Sequence, residues 1–280
     1  MSISELEPIE FPLKDLGDDL RTKIIGIVGT YSVALTCEGQ ACGSGTLVYC
    51  NGVYGILTAA HVVSESPIEI GKGNRNLGIP FLDGPTRFDI PCKYLSEVVI
   101  GKPDNGNYTS SGPDATFIRL PESGEYVGWL KAKKDFWNIS KQLELHPDID
   151  NRKTCYLTGY PVQLKSSWSE GNAKFTNHQP VMLGDTLRDS EYRDEGDFDY
   201  IDAVVDFTNV PDLPTNYQGM SGGGVWLFKF VHYQKYDVYR VEEPQLCGVV
   251  FYQEFPDDGT ALITSHMHKA IALLPSLIRK

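Results

Sequence analysis

The chain has 280 residues, 41% hydrophobic, 11% aromatic and 22% charged, which is the balance of an ordinary globular protein and excludes a disordered one. Its 25 basic residues stand against 37 acidic ones, and the formal charge of -12 sets nucleic acid aside as a partner, because a phosphate backbone is repelled by such a field. No apolar run reaches the roughly 18 residues of a membrane-spanning helix, so no membrane partner is expected.

The acidic opening Met1-Ser-Ile-Ser-Glu-Leu-Glu-Pro has no uninterrupted apolar stretch and does not read as a secretory signal. Residues 14–29, with Leu16, Leu20, Ile24 and Ile27 at helical spacing, predict a short amphipathic helix. Short segments rich in Val, Ile, Thr or Tyr and bounded by turn residues follow: Tyr31–Cys37, Gly45–Tyr49, Val53–Leu57, Tyr94–Ile100 and Ala115–Leu120. Residues 121–150 interrupt the series, with Tyr126-Val-Gly-Trp-Leu-Lys-Ala-Lys-Lys as a candidate short helix, and are expected to connect two halves. A second series runs through Thr154–Thr158, Ala173–Phe175, Ile201–Phe207, Val225–Phe230, Tyr236–Val241, Leu246–Tyr252 and Ala261–Ile263. A closing helix is expected over His266–Ile278, where Ile271, Leu274 and Ile278 share a face. The pattern predicts an all-β sandwich or pair of barrels with helices only at the ends.

Six cysteines (Cys37, Cys42, Cys50, Cys92, Cys155, Cys247) contain no Cys-x-x-Cys pair and are expected to be reduced, buried thiols in a cytoplasmic protein, with disulfides as the alternative. The acidic Gly184–Asp206 stretch lacks the spacing of a calcium loop and is expected to be a solvated loop running into a strand. His266-Met-His268 lacks neighbouring Cys, Asp or Glu ligands, which points to surface or packing roles rather than a metal site. Gly71-Lys-Gly-Asn-Arg-Asn reads as a turn. No metal and no organic cofactor is expected.

Three segments carry chemistry. In Gly219-Met-Ser-Gly-Gly-Gly-Val-Trp, glycines on both sides of Ser221 leave its oxygen unobstructed and let backbone N–H groups converge on one point. Gly55-Ile-Leu-Thr-Ala-Ala-His-Val-Val delivers His61 from the end of a strand, where an imidazole can take up a hydroxyl proton near neutral pH. Gly112-Pro-Asp-Ala-Thr-Phe-Ile-Arg-Leu sets Asp114 at a strand start, where a carboxylate can orient that imidazole. Each alone is more often a turn, a core imidazole or a turn aspartate.

The order His61, Asp114, Ser221 in an all-β chain resembles the chymotrypsin/trypsin-like serine protease family. Thr-Ala-Ala-His and Gly-x-Ser-Gly-Gly are that family's signatures, and Cys42-Gly-Ser-Gly-Thr-Leu-Val, Leu157-Thr-Gly-Tyr-Pro and Leu246-Cys-Gly-Val-Val are similar to three of its strands. The resemblance covers about residues 30–278. It implies one protease domain over 1–280, made of two six-stranded antiparallel barrels (about 30–120 and 151–264), the connection 121–150 and a C-terminal helix (265–280). Ser221 becomes the nucleophile, His61 the general base, Asp114 its orienter, and the N–H groups of Gly219 and Ser221 the oxyanion hole.

Met220 stands where secreted members carry an aspartate, and Val62 where a cysteine often follows the histidine, so Cys42 lacks its usual partner. Both point to a bacterial-type branch similar to the Htr and V8-like proteases, without zymogen activation at Ile24 or Ile27 and without a PDZ domain. Thr215 falls where trypsin carries its specificity aspartate, so cleavage after Arg or Lys is not expected. Val249, Val250 and Phe251 are the expected lining of an apolar primary pocket. The expected activity is a serine endopeptidase acting on proteins or peptides. The alternative is a latent or catalytically silent protease fold that binds a regulatory protein partner, with a docking surface expected on the Leu227–Gln245 segment.

Overall fold

Short apolar runs in this chain serve two cores at once, because neighbouring side chains on a strand point to opposite faces. The computed structural model describes residues 18–81, 87–122, 124–145, 154–170, 173–183, 187–206, 216–228, 230–233, 238–241, 244–256 and 259–279. The described helices are α1 (Asp18–Tyr31), α2 (Ala60–Ser64), α3 (Gly124–Lys131), α4 (Ile139–Leu145) and α5 (His268–Ile278).

The first sheet contains β1 (Ser32–Cys37), β2 (Gln40–Cys50), β3 (Val53–Thr58), β4 (Asn76–Pro80), β5 (Arg87–Pro91), β6 (Ser96–Gly101) and β7 (Ala115–Arg119) in the order β5-β4-β1-β2-β3-β7-β6. The short β8 (Trp137–Asn138) lies parallel to β2, and every other pairing is antiparallel. The second half supplies β9 (Thr154–Gly159), β10 (Lys165–Glu170), β11 (Ala173–His178), β12 (Val181–Leu183), β13 (Leu187–Glu195), β14 (Phe198–Asp206), β15 (Gly224–Phe228), β16 (Phe230–Tyr233), β17 (Val238–Val241), β18 (Gln245–Glu254) and β19 (Thr260–His266). Its main sheet runs β12-β9-β15-β18-β19-β14-β13, with β10–β11 and β16–β17 as separate two-stranded ribbons. The protein is therefore mostly β, with two antiparallel sheets and few helices. No ladder among the described residues closes either sheet on itself.

Leu47, Ile56 and Ile118 face a core belonging to the first sheet, while their neighbours Val48, Leu57 and Phe117 face a second core between the sheets. On β15 the same alternation sends Val225 and Leu227 into the second sheet's own core and Trp226 and Phe228 into the shared one. Burial on both faces explains why these strands lack a polar side. Ile24 and Val28 of α1 and Ala270, Ile271, Leu274 and Ile278 of α5 fill the shared core, so the terminal helices are wedged against both sheets.

The connection is more structured than a linker. It holds α3, α4 and β8, and Gln142 ties it to the second sheet by accepting the Leu246 N–H (2.9 Å) and donating to the Leu246 carbonyl (2.9 Å). The acidic stretch also departs from expectation. From Leu187 it is a β-hairpin, turned at Gly196 (φ 71), and four of its carboxylates are partnered: Glu195 by Arg193, Asp194 by Lys269, and Asp199 and Asp202 as follows. Asp199 accepts the Tyr192 hydroxyl and the Lys269 N–H, and Asp202 accepts Arg193 and the Thr264 hydroxyl. The hairpin also extends the strand series beyond Ile201, because charged edge residues give no apolar alternation to read. Gly71 and Gly73 both have φ 72, as a turn there requires.

Candidate active site

His61 occupies the first turn of α2, which starts where β3 ends and is anchored by the buried Val62 and Val63. The N-cap of this helix is Ala59, which has no side chain able to accept the first N–H groups. Asp114, only 1% exposed at the entry to β7, takes that role from outside: its Oδ1 accepts the His61 N–H at 2.9 Å. Its Oδ2 lies 2.5 Å from His61 Nδ1. One carboxylate thus fixes both the backbone and the ring of His61. Accepting from Nδ1–H leaves Nε2 as the ring's free acceptor, on a side chain 21% exposed. Tyr108 packs beside the imidazole, ring centroids 5.5 Å apart, with its hydroxyl on Ser64.

Ser221 comes from the other sheet, on a tight turn before β15. Gly219 and Gly222 hold φ values of 96 and 89 there, conformations that side chains resist. The turn's internal hydrogen bonds use the N–H groups of Met220, Gly222 and Gly223 on the carbonyls of Tyr217, Val250 and Met220. The N–H groups of Gly219 and Ser221 have no acceptor among the described residues. They are the pair expected to bind an oxyanion, worth about 3–4 kcal/mol per donor in a comparable hydrolase.

A residue not singled out from the sequence joins the two halves. The Ser44 hydroxyl donates to the Gly219 carbonyl at 2.6 Å and accepts the Tyr160 N–H at 2.8 Å, while its own N–H donates to the Ser221 carbonyl at 2.8 Å. Thr58 in turn donates to the Ser44 carbonyl. Gly43 makes the approach feasible, since a Cβ there would lie 2.9 Å from the Ser221 carbonyl oxygen and 2.7 Å from Val62. The serine turn therefore rests on β2 and on the strand end that delivers His61. No hydrogen bond links Ser221 Oγ to His61 Nε2 among the described residues; apo catalytic pairs commonly tighten only around substrate.

His266 is a second such residue. The sequence assigns it to the surface or to packing, and to the start of the closing helix. It is fully buried, in a packing position rather than at the surface, ends β19 instead of opening the helix, and accepts the Asp114 N–H on Nε2 at 2.7 Å. Burial lowers its imidazole from 6.5 to about 3. Between those values the unfolded chain binds a proton that the folded one excludes, so this stability contribution is complete above 6.5 and declines as the pH falls toward 3. Urea midpoints measured from pH 7 down to about 4 are expected to fall, and to fall less steeply in His266→Phe. An equally steep fall in that variant would remove His266 from the acid response.

The remaining expectations divide. Thr215 lies outside the described residues. Val249, Val250 and Phe251 are 1%, 2% and 2% exposed and point into three different cores, so none offers side-chain surface to a substrate in this structure. Alternation and a bulge after Val250 distribute them this way, and β18 meets the serine turn through the Val250 backbone instead. Ile24 is fully buried within α1 and Met220 is buried in an apolar cluster, so an amine released at Ile24 meets no carboxylate at 220. All six cysteines are free thiols. Among the described residues no group of three or more His, Cys, Asp or Glu could hold a metal. No described helix is long and apolar enough to cross a membrane. The docking surface expected on Leu227–Gln245 falls partly on β16 and β17 and partly outside the described residues.

Neither a family model nor a curated protein matches the chain. Among solved structures, one from work on how aromatic interactions drive the coupled folding and binding of the intrinsically disordered Sesbania mosaic virus VPg protein aligns with a TM-score of 0.41 and 12% identity, over 85% of each chain.

Proposed function

We propose that this protein is a serine endopeptidase of trypsin-like architecture, in which Ser221 attacks a peptide carbonyl, His61 moves the proton and Asp114 orients His61. The observation that carries this reading is the double engagement of His61 by Asp114, through ring and backbone N–H, on the strand end against which the Ser221 turn is docked. The N–H groups of Gly219 and Ser221, without an acceptor among the described residues, supply the anion site such a reaction needs. Two barrels forming one protease domain belong to the proposal, each drawn from a main run of seven strands rather than the six the resemblance implies. The end strands of each sheet, β5 with β6 and β12 with β13, are consecutive in the chain, the order left when a rolled sheet is cut at one seam. Substrates are proteins or peptides, and the free thiols favour a reducing, cytoplasmic setting.

A fluorescent fluorophosphonate tests the reading without a known substrate. Wild type is expected to label at one site, with labelling abolished in Ser221→Ala and reduced by several orders of magnitude in His61→Ala. Absence of labelling in a folded wild type would reject constitutive activity. It would favour the second reading, a latent fold awaiting a regulatory protein partner.

A further inference from the structure

We propose that His266 is a positioning residue for the His61–Asp114 pair: by accepting the Asp114 backbone N–H on Nε2, it fixes where the Asp114 carboxylate stands. This inference rests on the triad reading above, but the link itself is a property of the fold.

Asp114 must present two oxygens at once, one to the His61 N–H and one to Nδ1. Its carboxylate is only two rotatable bonds from the main chain, so a shift of its backbone carries both oxygens off target. That backbone lies where a loop enters β7, and the 2.7 Å bond from Asp114 N–H to His266 is its anchor there. The anchor is rigid. The His266 ring packs against Phe251, Tyr200 and Phe198, with centroids 4.6, 5.1 and 5.4 Å away, and its backbone pairs with Tyr200 on one side and Val249 on the other.

Packing does not account for the imidazole. With Nε2 accepting, the neutral ring carries its proton on Nδ1, and that buried atom has no hydrogen-bond partner among the described residues. A phenylalanine would fill the same aromatic cage without the orphaned donor. What it lacks is the acceptor for Asp114. Burial also keeps the ring neutral, down to about 3, so Nε2 remains an acceptor throughout the neutral pH range.

The test compares His266→Phe, which keeps the ring and removes the acceptor, with His266→Gln, which returns an acceptor near the Nε2 position. The readouts are the low-field proton resonance of His61 Nδ1–H, the fluorophosphonate labelling rate across pH, and near-ultraviolet circular dichroism for folding. Phe is expected to broaden or shift the resonance and to slow labelling by about 10- to 100-fold with an altered pH profile, whereas Gln recovers most of both. A folded Phe variant with wild-type resonance and rate, or a Gln variant no better than Phe, overturns the proposal. Should Phe not fold, the wild type decides: a through-hydrogen-bond coupling between the Asp114 amide nitrogen and His266 Nε2 is expected, and its absence overturns the link. If wild type does not label at all, the protease reading fails by itself, and the resonance and coupling still judge His266.

Discussion

Asp114→Asn is expected to slow fluorophosphonate labelling of Ser221 by about 10⁴-fold while the protein remains folded, the size of loss known for the equivalent change in a comparable protease. The asparagine carbonyl can still accept the His61 N–H, preserving the cap on α2. Its amide group then faces Nδ1 and donates to it, which moves the ring proton to Nε2. A ring protonated on Nε2 cannot take a proton from serine. Labelling rates, with near-ultraviolet circular dichroism as the control, check this. A folded variant slowed less than about tenfold would mean that Asp114 does not set the tautomer, and the catalytic reading of the trio would lose its main support.

Gly222→Ala is expected to cost about 2–5 kcal/mol of stability, combining roughly 1–2 for a side chain at positive φ with roughly 1–3 for overpacking. A Cβ at Gly222 would lie 2.0 Å from Thr58 Oγ1 and 2.1 Å from the Ser44 carbonyl oxygen, both parts of the first sheet. The alternative to unfolding is to lift the serine turn off β2, which removes the site. Gly52→Ala separates the two costs. Gly52 has φ 91 but nothing within 4 Å of its would-be Cβ, so only the backbone penalty remains. Urea denaturation of the three proteins checks the order wild type, Gly52→Ala, Gly222→Ala. Equal midpoints for the two variants would show that the contact with Thr58 and Ser44 is not tight.

His61, Asp114 and Ser221 stand out as candidates because each has a distinctive local setting: small residues after a strand, a Gly-Pro turn, a run of glycines. Strands with apolar character, such as β3, β7 and β18, were legible for the same reason. β4 and β5 were not, since Asn76-Leu-Gly-Ile-Pro and Arg87-Phe-Asp-Ile-Pro each end in proline and carry little alternation. β10 and β13 are polar strands, Lys-Ser-Ser-Trp-Ser-Glu and Leu-Arg-Asp-Ser-Glu-Tyr-Arg-Asp-Glu, and gave no periodic signal. Ser44 and His266 were hidden more deeply. Their partners are main-chain atoms 175 and 152 residues away, and a backbone N–H or carbonyl has no side-chain identity to mark it in a sequence. Ser44 lay inside a recognised block and passed for an ordinary strand residue.

Two of the cross-sheet contacts run in opposite directions, Ser44 reaching from the first sheet to the serine turn and His266 from the second sheet to the aspartate. Neither half of the chain thus contains the whole candidate site, and association of the halves is thermodynamically linked to its occupancy. A ligand that binds across Ser221 and His61 only when the halves are joined stabilises the packing of sheet on sheet by RT ln(1 + L/Kd), where L is its free concentration, an amount set by concentration as well as affinity. A molecule that wedges the sheets apart must, by the same linkage, weaken that ligand even if it touches none of the three residues.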